Sequence, residues 1–368
     1  MMTGAVRIAV SMLAVLGVIA LFVIPGEGGT PILGMRPYET TRIDDPNGPG
    51  GDPAPDGFPK RLFDPSGAEQ ILPEPPRRIA SMNLGADEIL CALLDHELDR
   101  IAGLTISASD TSISNCYDLA PPGSARFAGA IESVIEVEPD LVITSPGTRA
   151  EIVRALVSGD IPVVRFGQWS TLEDLKENIR LIGRSVGKNE RAEEIVGWME
   201  GRIRMVAARV AGRPRPRVLF WNSTGHTTGR NTTMGQMIEL AGGLNVAAEA
   251  GIDRSTPLPT EFALALEPDV ILCSTRSVVR TTRGYEPAGS PAREFLDDPR
   301  WRNSPAVKNR RVYAIKAGWS TSVSHYAVLA LEAMARGIHP EAYTDTDMMS
   351  AEDALYTALH PDLVRRPR

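Results

Sequence analysis

Glu132-Ser-Val-Ile-Glu-Val-Glu138-Pro139-Asp140-Leu-Val-Ile143 and Glu261-Phe-Ala-Leu-Ala-Leu-Glu267-Pro268-Asp269-Val-Ile-Leu272 are two versions of one pattern, set 129 residues apart. Each reads as a short helix opened by an acidic residue, halted at Glu-Pro-Asp and followed by an apolar strand. The proline enforces the halt, because it lacks a backbone donor and pushes the preceding residue out of the helical region. Two such units in the same order predict two lobes of similar construction.

Working outward, strand and helix patterns alternate on both sides. Strands are expected at Arg78–Met82, Arg100–Leu104, Leu141–Thr144 and Val163–Phe166, with helices at Ala86–Leu94, Ile131–Glu136 and Arg149–Ser158 between them. The second half offers strands Arg217–Trp221, Val270–Cys273 and Val312–Ile315, with helices at Met234–Ala241, Thr260–Leu266, Ala292–Leu296 and Val323–Ala335. Strands separated by helices of this length argue for parallel sheets covered on both faces. Ahead of them, Lys60–Phe63 and Glu69–Leu72 around Asp64-Pro65-Ser66-Gly67 read as a hairpin, the proline and glycine suiting a type I turn. Between the halves, Leu172 to Val186 is amphipathic, Gly187 interrupts, and apolar residues from Ala192 to Val210 keep a three-to-four spacing until Gly212 and Pro214. At ~1.5 Å per residue the second stretch spans roughly 34 Å, enough to bridge two lobes.

Composition bounds the function. The 368 residues are 43% hydrophobic and 23% charged, so the chain can bury a core. Lys and Arg number 39 against 46 Asp and Glu, a net charge of −7, which lacks the basic footprint of a nucleic-acid binder. Three cysteines, Cys91, Cys116 and Cys273, are too few for a disulfide scaffold and leave at least one thiol unpaired. Aromatics are only 5%, so the positions of the five Trp carry weight.

At the N-terminus, Ile8 to Ile24 is an uncharged run after Arg7, ended by Pro25-Gly26. It is long for a signal-peptide core of about 7–15 residues and marginal for a membrane span of about 17–25, so it reads as a retained anchor or a cleaved signal. No cysteine follows it to carry a lipid. Gly26 to Gly57 is crowded with Gly, Pro and Asp and reads as a flexible tether. The expected organisation is a signal or anchor at 1–25, the tether at 26–57, an N-terminal lobe at 58–170, a linking helical region at 171–213, a C-terminal lobe at 214–340 and an extension without assigned role at 341–368.

With Arg78-Ile-Ala-Ser-Met-Asn-Leu-Gly-Ala-Asp-Glu-Ile-Leu90, both Glu…Glu-Pro-Asp units, the mid-chain helix and Ala241-Gly-Gly-Leu-Asn-Val246, the chain resembles the periplasmic binding proteins of ABC importers for iron chelates, haem and vitamin B12. The resemblance runs from about Phe58 to His339. It implies two Rossmann-like α/β lobes with parallel sheets, joined by a long backbone helix, with a cleft between them holding a ferric siderophore, haem or cobalamin. It further implies a monomer that acts with a permease dimer and separate ATPase subunits, at the outer face of the cytoplasmic membrane. Glu132 and Glu261 then take the positions of the family's permease-docking acidic residues, one per lobe.

The residues point to the same cleft, since ligands of open α/β sheets sit beyond the carboxyl ends of the strands. Just past the strands lie Asn83, Thr105, Ser107, Ser145, Gln168 and Trp169 in the first half, and Trp221, Asn222, His226, Arg276, Lys316 and Trp319 in the second. Aromatic faces with scattered hydroxyl, amide and cationic groups suit a large organic ligand. His226 has the donor chemistry for haem iron or corrinoid cobalt, although a loop histidine more often only hydrogen-bonds. Arg276, Arg280, Arg283 and Lys316 could pair with carboxylates of an anionic ligand. The five histidines show no paired spacing, so no resident metal is expected. Gly318-Trp-Ser320-Thr-Ser322 departs from a nucleophile elbow at its final position, and no Walker sequence occurs, so neither a hydrolase nor an ATPase is expected. A membrane-anchored sensor or scavenger of the same fold is the competing job.

Overall fold

The computed structural model describes residues 41–44, 57–63, 69–222, 225–276, 279–281, 284–286 and 295–343. The apolar run 8–24, most of the tether, the turn at 64–67, the start of the helix expected at Ala292, Arg283 and the extension from residue 344 lie outside them.

The first sheet is a small antiparallel one. Arg42–Asp44 (β1) pairs with Lys60–Phe63 (β2), which pairs with Glu69–Leu72 (β3) in the register Lys60 with Leu72 and Phe63 with Glu69. The hairpin thus forms as expected, while β1 corrects the reading of residues 26–57 as tether throughout. Ile43 packs on the main core, which gives this segment a reason to pair.

Five parallel strands follow: Ile79–Ser81 (β4), Ile101–Thr105 (β5), Ala125–Phe127 (β6), Leu141–Thr144 (β7) and Val163–Arg165 (β8), in the order β6-β5-β4-β7-β8. Leu84–Leu93 (α1), Ile131–Glu136 (α2) and Ala150–Ser158 (α3) are its crossover helices. The outer edge of β8 is covered by the small sheet, since Val163 donates to the Gln70 side chain at 2.7 Å and Arg165 to the Thr41 hydroxyl at 2.8 Å.

Two helices link the sheets. Leu172–Val186 (α4) opens on a capping box, in which Thr171 and Asp174 satisfy each other's backbone donors, and closes on Gly187 at φ 72°. Asn189–Val210 (α5) then turns back along it; a Cβ on Gly183 would sit 2.5 Å from that of Ala192, so the two helices touch closely there.

The second parallel sheet holds Arg217–Trp221 (β9), Leu244–Asn245 (β11), Val270–Thr275 (β13) and Val312–Lys316 (β16) in the order β11-β9-β13-β16. Two short antiparallel pairs join it: His226–Thr227 (β10) with Thr256–Pro257 (β12), and Val279–Thr281 (β14) with Gly284–Glu286 (β15). Its helices are Thr233–Leu240 (α6), Val246–Glu249 (α7), Thr260–Ala265 (α8), Pro305–Lys308 (α9), Ala317–Ser320 (α10) and Ala327–Ile338 (α11). The expected strands and helices that fall on described residues are thus present to within a few residues, except that α11 starts at Ala327 rather than Val323; the helix expected at Ala292–Leu296 lies largely outside them.

The repeat has a structural meaning in both lobes. Glu138 and Glu267 adopt φ of 46° and 45°, a left-handed conformation costing a non-glycine residue about 1 kcal/mol. Hydrogen bonds on either side hold it. The Asp140 carboxylate accepts from the Arg77 and Arg78 backbone at 2.6 and 2.9 Å, and Arg78 Nε donates to the Val137 and Glu138 carbonyls at the end of α2. In the second lobe Asp269 accepts from the Arg217 backbone at 3.0 Å, and Arg217 Nη2 donates to the Leu266 carbonyl at 3.0 Å. Each module therefore ties a helix end to the start of its central strand.

One apolar cluster runs through both lobes, taking Ile89, Leu90 and Ile143 from the first, Ile182, Ile195 and Met199 from the linking helices, and Met237, Leu331 and Met334 from the second. Smaller clusters cover the far face of each sheet. The described residues accordingly form one compact unit. α5 is pinned near its start and past its middle. Arg191 donates to Asp95 at 3.1 Å and to the Ala92 carbonyl at 3.2 Å beyond α1, while Arg202 makes a two-pronged pair with the buried Glu332 of α11. Removing one partner of a buried pair leaves a stranded charge, so Arg202→Met should lose about 3 kcal/mol in urea unfolding, and Arg202→Met with Glu332→Leu should regain most of it. A double variant no more stable than the single one would contradict this role.

Candidate functional site

Both parallel sheets start at a central strand, build to one side, then cross to the other. The crevice of such a sheet lies where strand order reverses, between β4 and β7 in the first lobe and between β9 and β13 in the second. Asn83 and Ser145 follow β4 and β7; Trp221 ends β9, Asn222 and His226 come after it, and Arg276 follows β13. Half of the sequence-predicted residues thus sit at these two reversals, while Thr105 and Ser107 lie at the end of β5, Gln168 and Trp169 beyond β8, and Lys316 and Trp319 at the end of β16.

Segments beyond β4 and β5 meet those beyond β13 and β16. Asn115 Nδ2, beyond β5, donates to the Gly318 carbonyl of α10 at 2.6 Å. A Cβ on Gly318 would come within 2.9 Å of the Ile113 carbonyl, and one on Gly85 within 2.4 Å of Val323 Cγ2, so glycine is what lets the backbones approach. At the solvent side Arg276 reaches Asp110 at 3.8 Å, with 69% and 40% of the side chains exposed. Screening by water makes this a weak pair.

The centre of the contact is Glu88 of α1, 1% exposed. Its carboxylate accepts from the Asn115 backbone at 3.1 Å, Asn115 Nδ2 at 2.7 Å, Ser322 Oγ at 2.8 Å and Ser324 Oγ at 2.6 Å. The two serines come from the second lobe, and their turn toward Glu88 is why α11 starts late. Burial pushes the Glu88 carboxyl upward against the pull of these donors. Neighbouring Asp87, also buried, accepts from Thr105 Oγ1 at 2.5 Å and Thr105 N at 3.2 Å. Burial, opposed by bonds from Ser81 and Thr105, pushes its carboxyl up to about 7.

The expected cleft residues divide into those turned inward and those left open. Asn83 caps α1, its side chain accepting from Gly85 N at 2.8 Å. Thr105 holds Asp87, and Ser145 is 5% exposed with its backbone donating to Thr148 Oγ1 at 3.2 Å. Trp319, also 5% exposed, is part of the main apolar cluster, with Lys316 Nζ 5.6 Å above its ring. An aromatic side chain of that area gains more from the core than from a wet cleft edge. Ser107, Trp169, Trp221, Asn222, His226 and Lys316 are half-buried, and Gln168 is exposed. Trp169 leans on Phe166 with ring centroids 5.9 Å apart, and Thr233 Oγ1 donates to the Trp169 carbonyl. Trp221 meets Trp301 edge to face at 5.7 Å, leaving part of its ring open. Asn222 Oδ1 accepts from His226 N at 2.9 Å across Gly225, whose φ of 75° allows the tight turn. Glu132 and Glu261 are both exposed in the first turns of α2 and α8.

Sequence reading missed Glu88, Asn115, Ser322 and Ser324. A signal existed: Asp87-Glu88 interrupts an otherwise apolar helix pattern, and a buried carboxylate requires donors from elsewhere. Ser320 Oγ bonds Ser274 Oγ at 2.9 Å, and Ser322 serves Glu88, so neither hydroxyl of the elbow-like segment faces an imidazole in these contacts. Among the described residues no group of three His, Cys, Asp or Glu could hold a metal ion, and no helix is long and apolar enough to cross a membrane. An open cavity of about 520 Å³ lies at the other joint between the lobes, bordered by Ser170, Thr171, Arg230, Asn231 and Gln236. Its polar groups serve local structure, Gln236 Oε1 accepting from Leu172 N at 2.7 Å and Arg230 Nη2 donating to the Ala248 carbonyl at 3.1 Å.

The chain belongs to the periplasmic binding protein family, whose sequence model matches residues 79–318. It is therefore a binding protein rather than an enzyme, of a family that works outside the cytoplasm. More particularly, it is 28% identical over 246 residues to a cobalamin-binding protein of Halobacterium salinarum, an alignment covering 62% of this chain and 66% of that relative's length. It is 23% identical over 297 residues to the ABC transporter substrate-binding lipoprotein YvrC of Bacillus subtilis, covering 78% of this chain and 88% of that one. Among solved structures, molybdate-bound MolA of Haemophilus influenzae superposes with a TM-score of 0.66 at 21% identity, covering 82% and 98% of the two chains, a likeness of fold.

The raised carboxyls fix a pH dependence. A group whose folded pKa lies above its unfolded value stabilises fully below the unfolded value, and that contribution is lost as pH rises through the folded one. For Asp87 the window is about pH 4 to 7. Asp87→Asn should therefore flatten the fall in unfolding free energy across that range; parallel profiles for wild type and variant would contradict the assignment.

Proposed function

We propose that this protein is the ligand-capturing subunit of an ABC importer and that its ligand is a corrinoid. The single observation that carries the reading is the pairing of equivalent crevices, one per lobe, beneath loops that already touch across the joint. Such a site is completed only when both lobes contribute. The choice of corrinoid draws on the cobalamin-binding relative and on the chemistry of the rim. Ser107, Gln168, Asn222 and His226 bring hydrogen-bonding side chains, which suit the amide-fringed edge of a corrinoid, while Trp169 and Trp221 offer apolar faces. Of the cations there, Lys316 lies over the Trp319 ring and Arg276 meets Asp110 only weakly, so an anionic chelate would find one loosely held cation rather than a cluster. Haem or a ferric siderophore is the second reading, favoured only if those cations are released on binding.

Calorimetry with aquocobalamin, haemin, ferric hydroxamate and catecholate siderophores, and molybdate tests the choice. Aquocobalamin should bind with a Kd in the micromolar range or below and at least tenfold more tightly than the others. Tighter binding of haemin or a siderophore would overturn the ligand, and no binding of any would overturn capture by this cleft.

In this reading Glu132 and Glu261 meet basic residues of a membrane permease, with separate subunits supplying ATP hydrolysis. Charges at that rim set orientation and encounter rate more than affinity. The residues 8–24 would hold the body, a monomer, at the outer membrane face, before cleavage or permanently. Glu132→Arg with Glu261→Arg should leave the Kd for ligand within about twofold and lower uptake by whole cells at least tenfold. Unchanged uptake would exclude docking and favour a sensor or scavenger.

A further inference from the structure

We propose that Cys91 and Cys116 form a disulfide in the mature protein, a covalent tie between α1 and the loop that carries the first lobe's contacts to the second. Both are thiols in this structure, both are 0% exposed, and both belong to the main apolar cluster. The geometry that pairs them is independent of the sulfurs. Glu88 and Cys91 lie one turn apart on the same face of α1. Asn115, adjoining Cys116, is fastened to Glu88 by its backbone at 3.1 Å and its side chain at 2.7 Å. Cys116 N donates to Ser114 Oγ at 3.1 Å, which fixes the turn that delivers the second sulfur. The Cys116 side chain is thereby brought to the Cys91 face of α1, within the same apolar cluster.

The inference rests on the family's place outside the cytoplasm, where disulfides persist. Contact with Cys91 and burial push the Cys116 thiol far upward, so the folded pair is a poor nucleophile and closed to solvent. The bond therefore forms during folding, before the loop seats. A thiolate of one cysteine attacks a disulfide-bearing donor, such as a dithiol-disulfide oxidoreductase or oxidised glutathione, and the second cysteine displaces the mixed disulfide. Two protons and two electrons leave the cysteines as the Sγ–Sγ bond forms, and the donor departs as two thiols. Cys273, in the second lobe, is 1% exposed, donates to the Tyr313 carbonyl at 3.4 Å and stays a thiol.

The bond would matter because the tied loop supplies Asp110 to Arg276 and Asn115 to Gly318. Holding that loop on α1 keeps half of the interlobe contact preformed. Closing a loop of this length should raise Tm by about 5–10 °C over the reduced protein.

The test is peptide mass spectrometry without reduction, after free thiols are trapped with N-ethylmaleimide under denaturing conditions. It is run on the exported full chain and, in parallel, on reduced chain refolded in a glutathione buffer, which separates a failure of pairing from a failure of export. Both samples should yield a Cys91–Cys116 linked peptide lighter by two hydrogens, with maleimide on Cys273 alone. Maleimide on Cys91 and Cys116 of the exported chain, or a link to Cys273, overturns the proposal, and the refolded sample then shows whether pairing or export failed. As a control on folding, Cys91→Ser with Cys116→Ser should melt like the reduced wild type, and a variant melting like the oxidised protein would also overturn it.

Discussion

The position of one helix relative to both lobes is the constraint on which the rest depends. α5 carries Arg191 near its start and Arg202 eleven residues on, about 16 Å along the axis. The first grips Asp95 and a carbonyl of the first lobe, and the second grips Glu332 of the second. Between them Ala192, Ile195, Val196 and Met199 sink into an apolar cluster common to both lobes. A buried ion pair is weak evidence of net stability, because desolvation offsets its attraction, but it tolerates only one geometry. Two such grips on one rigid rod fix the spacing of the lobes, and with it the width of what can sit between them.

Within that frame the duplicated module aligns each lobe's working parts. Asp140 and Asp269 bind the backbone at the start of β4 and β9, and Arg78 and Arg217 close the ends of α2 and α8. The central strand and the preceding helix are thereby locked in the same relation in both lobes. One consequence is that the carboxyl ends of the central strands offer equivalent crevices. Another is that Glu132 and Glu261, in the first turns of those helices, are displayed alike on the surface.

Much of this was legible in the sequence because it is local. Period-two and period-3.6 patterns, Gly187, and the Glu-Pro-Asp halts each act within a few residues, and they gave strands such as Leu141–Thr144 and helices such as Leu172–Val186 at their observed bounds. What escaped depends on residues far apart in the chain. The Glu88 junction joins positions more than 230 residues apart, so nothing in Ser322-Val-Ser324 alone announces that it will abandon the helix to satisfy a buried carboxylate. Trp319 follows a strand as a cleft residue should, yet the short helix α10 turns it into the core. β6 and β11, of three and two residues, are too short to show a pattern and exist because an edge was open beside them.

The central claim is that ligand is held by both lobes at the carboxyl ends of their sheets. Hydrogen exchange with and without aquocobalamin tests it most directly. The account predicts slowed exchange in segments of both lobes at once, around residues 83–87 and 105–116 in the first and 222–228 and 316–325 in the second. Slowing confined to one lobe, or centred on the cavity beside Thr171 and Gln236, would contradict it.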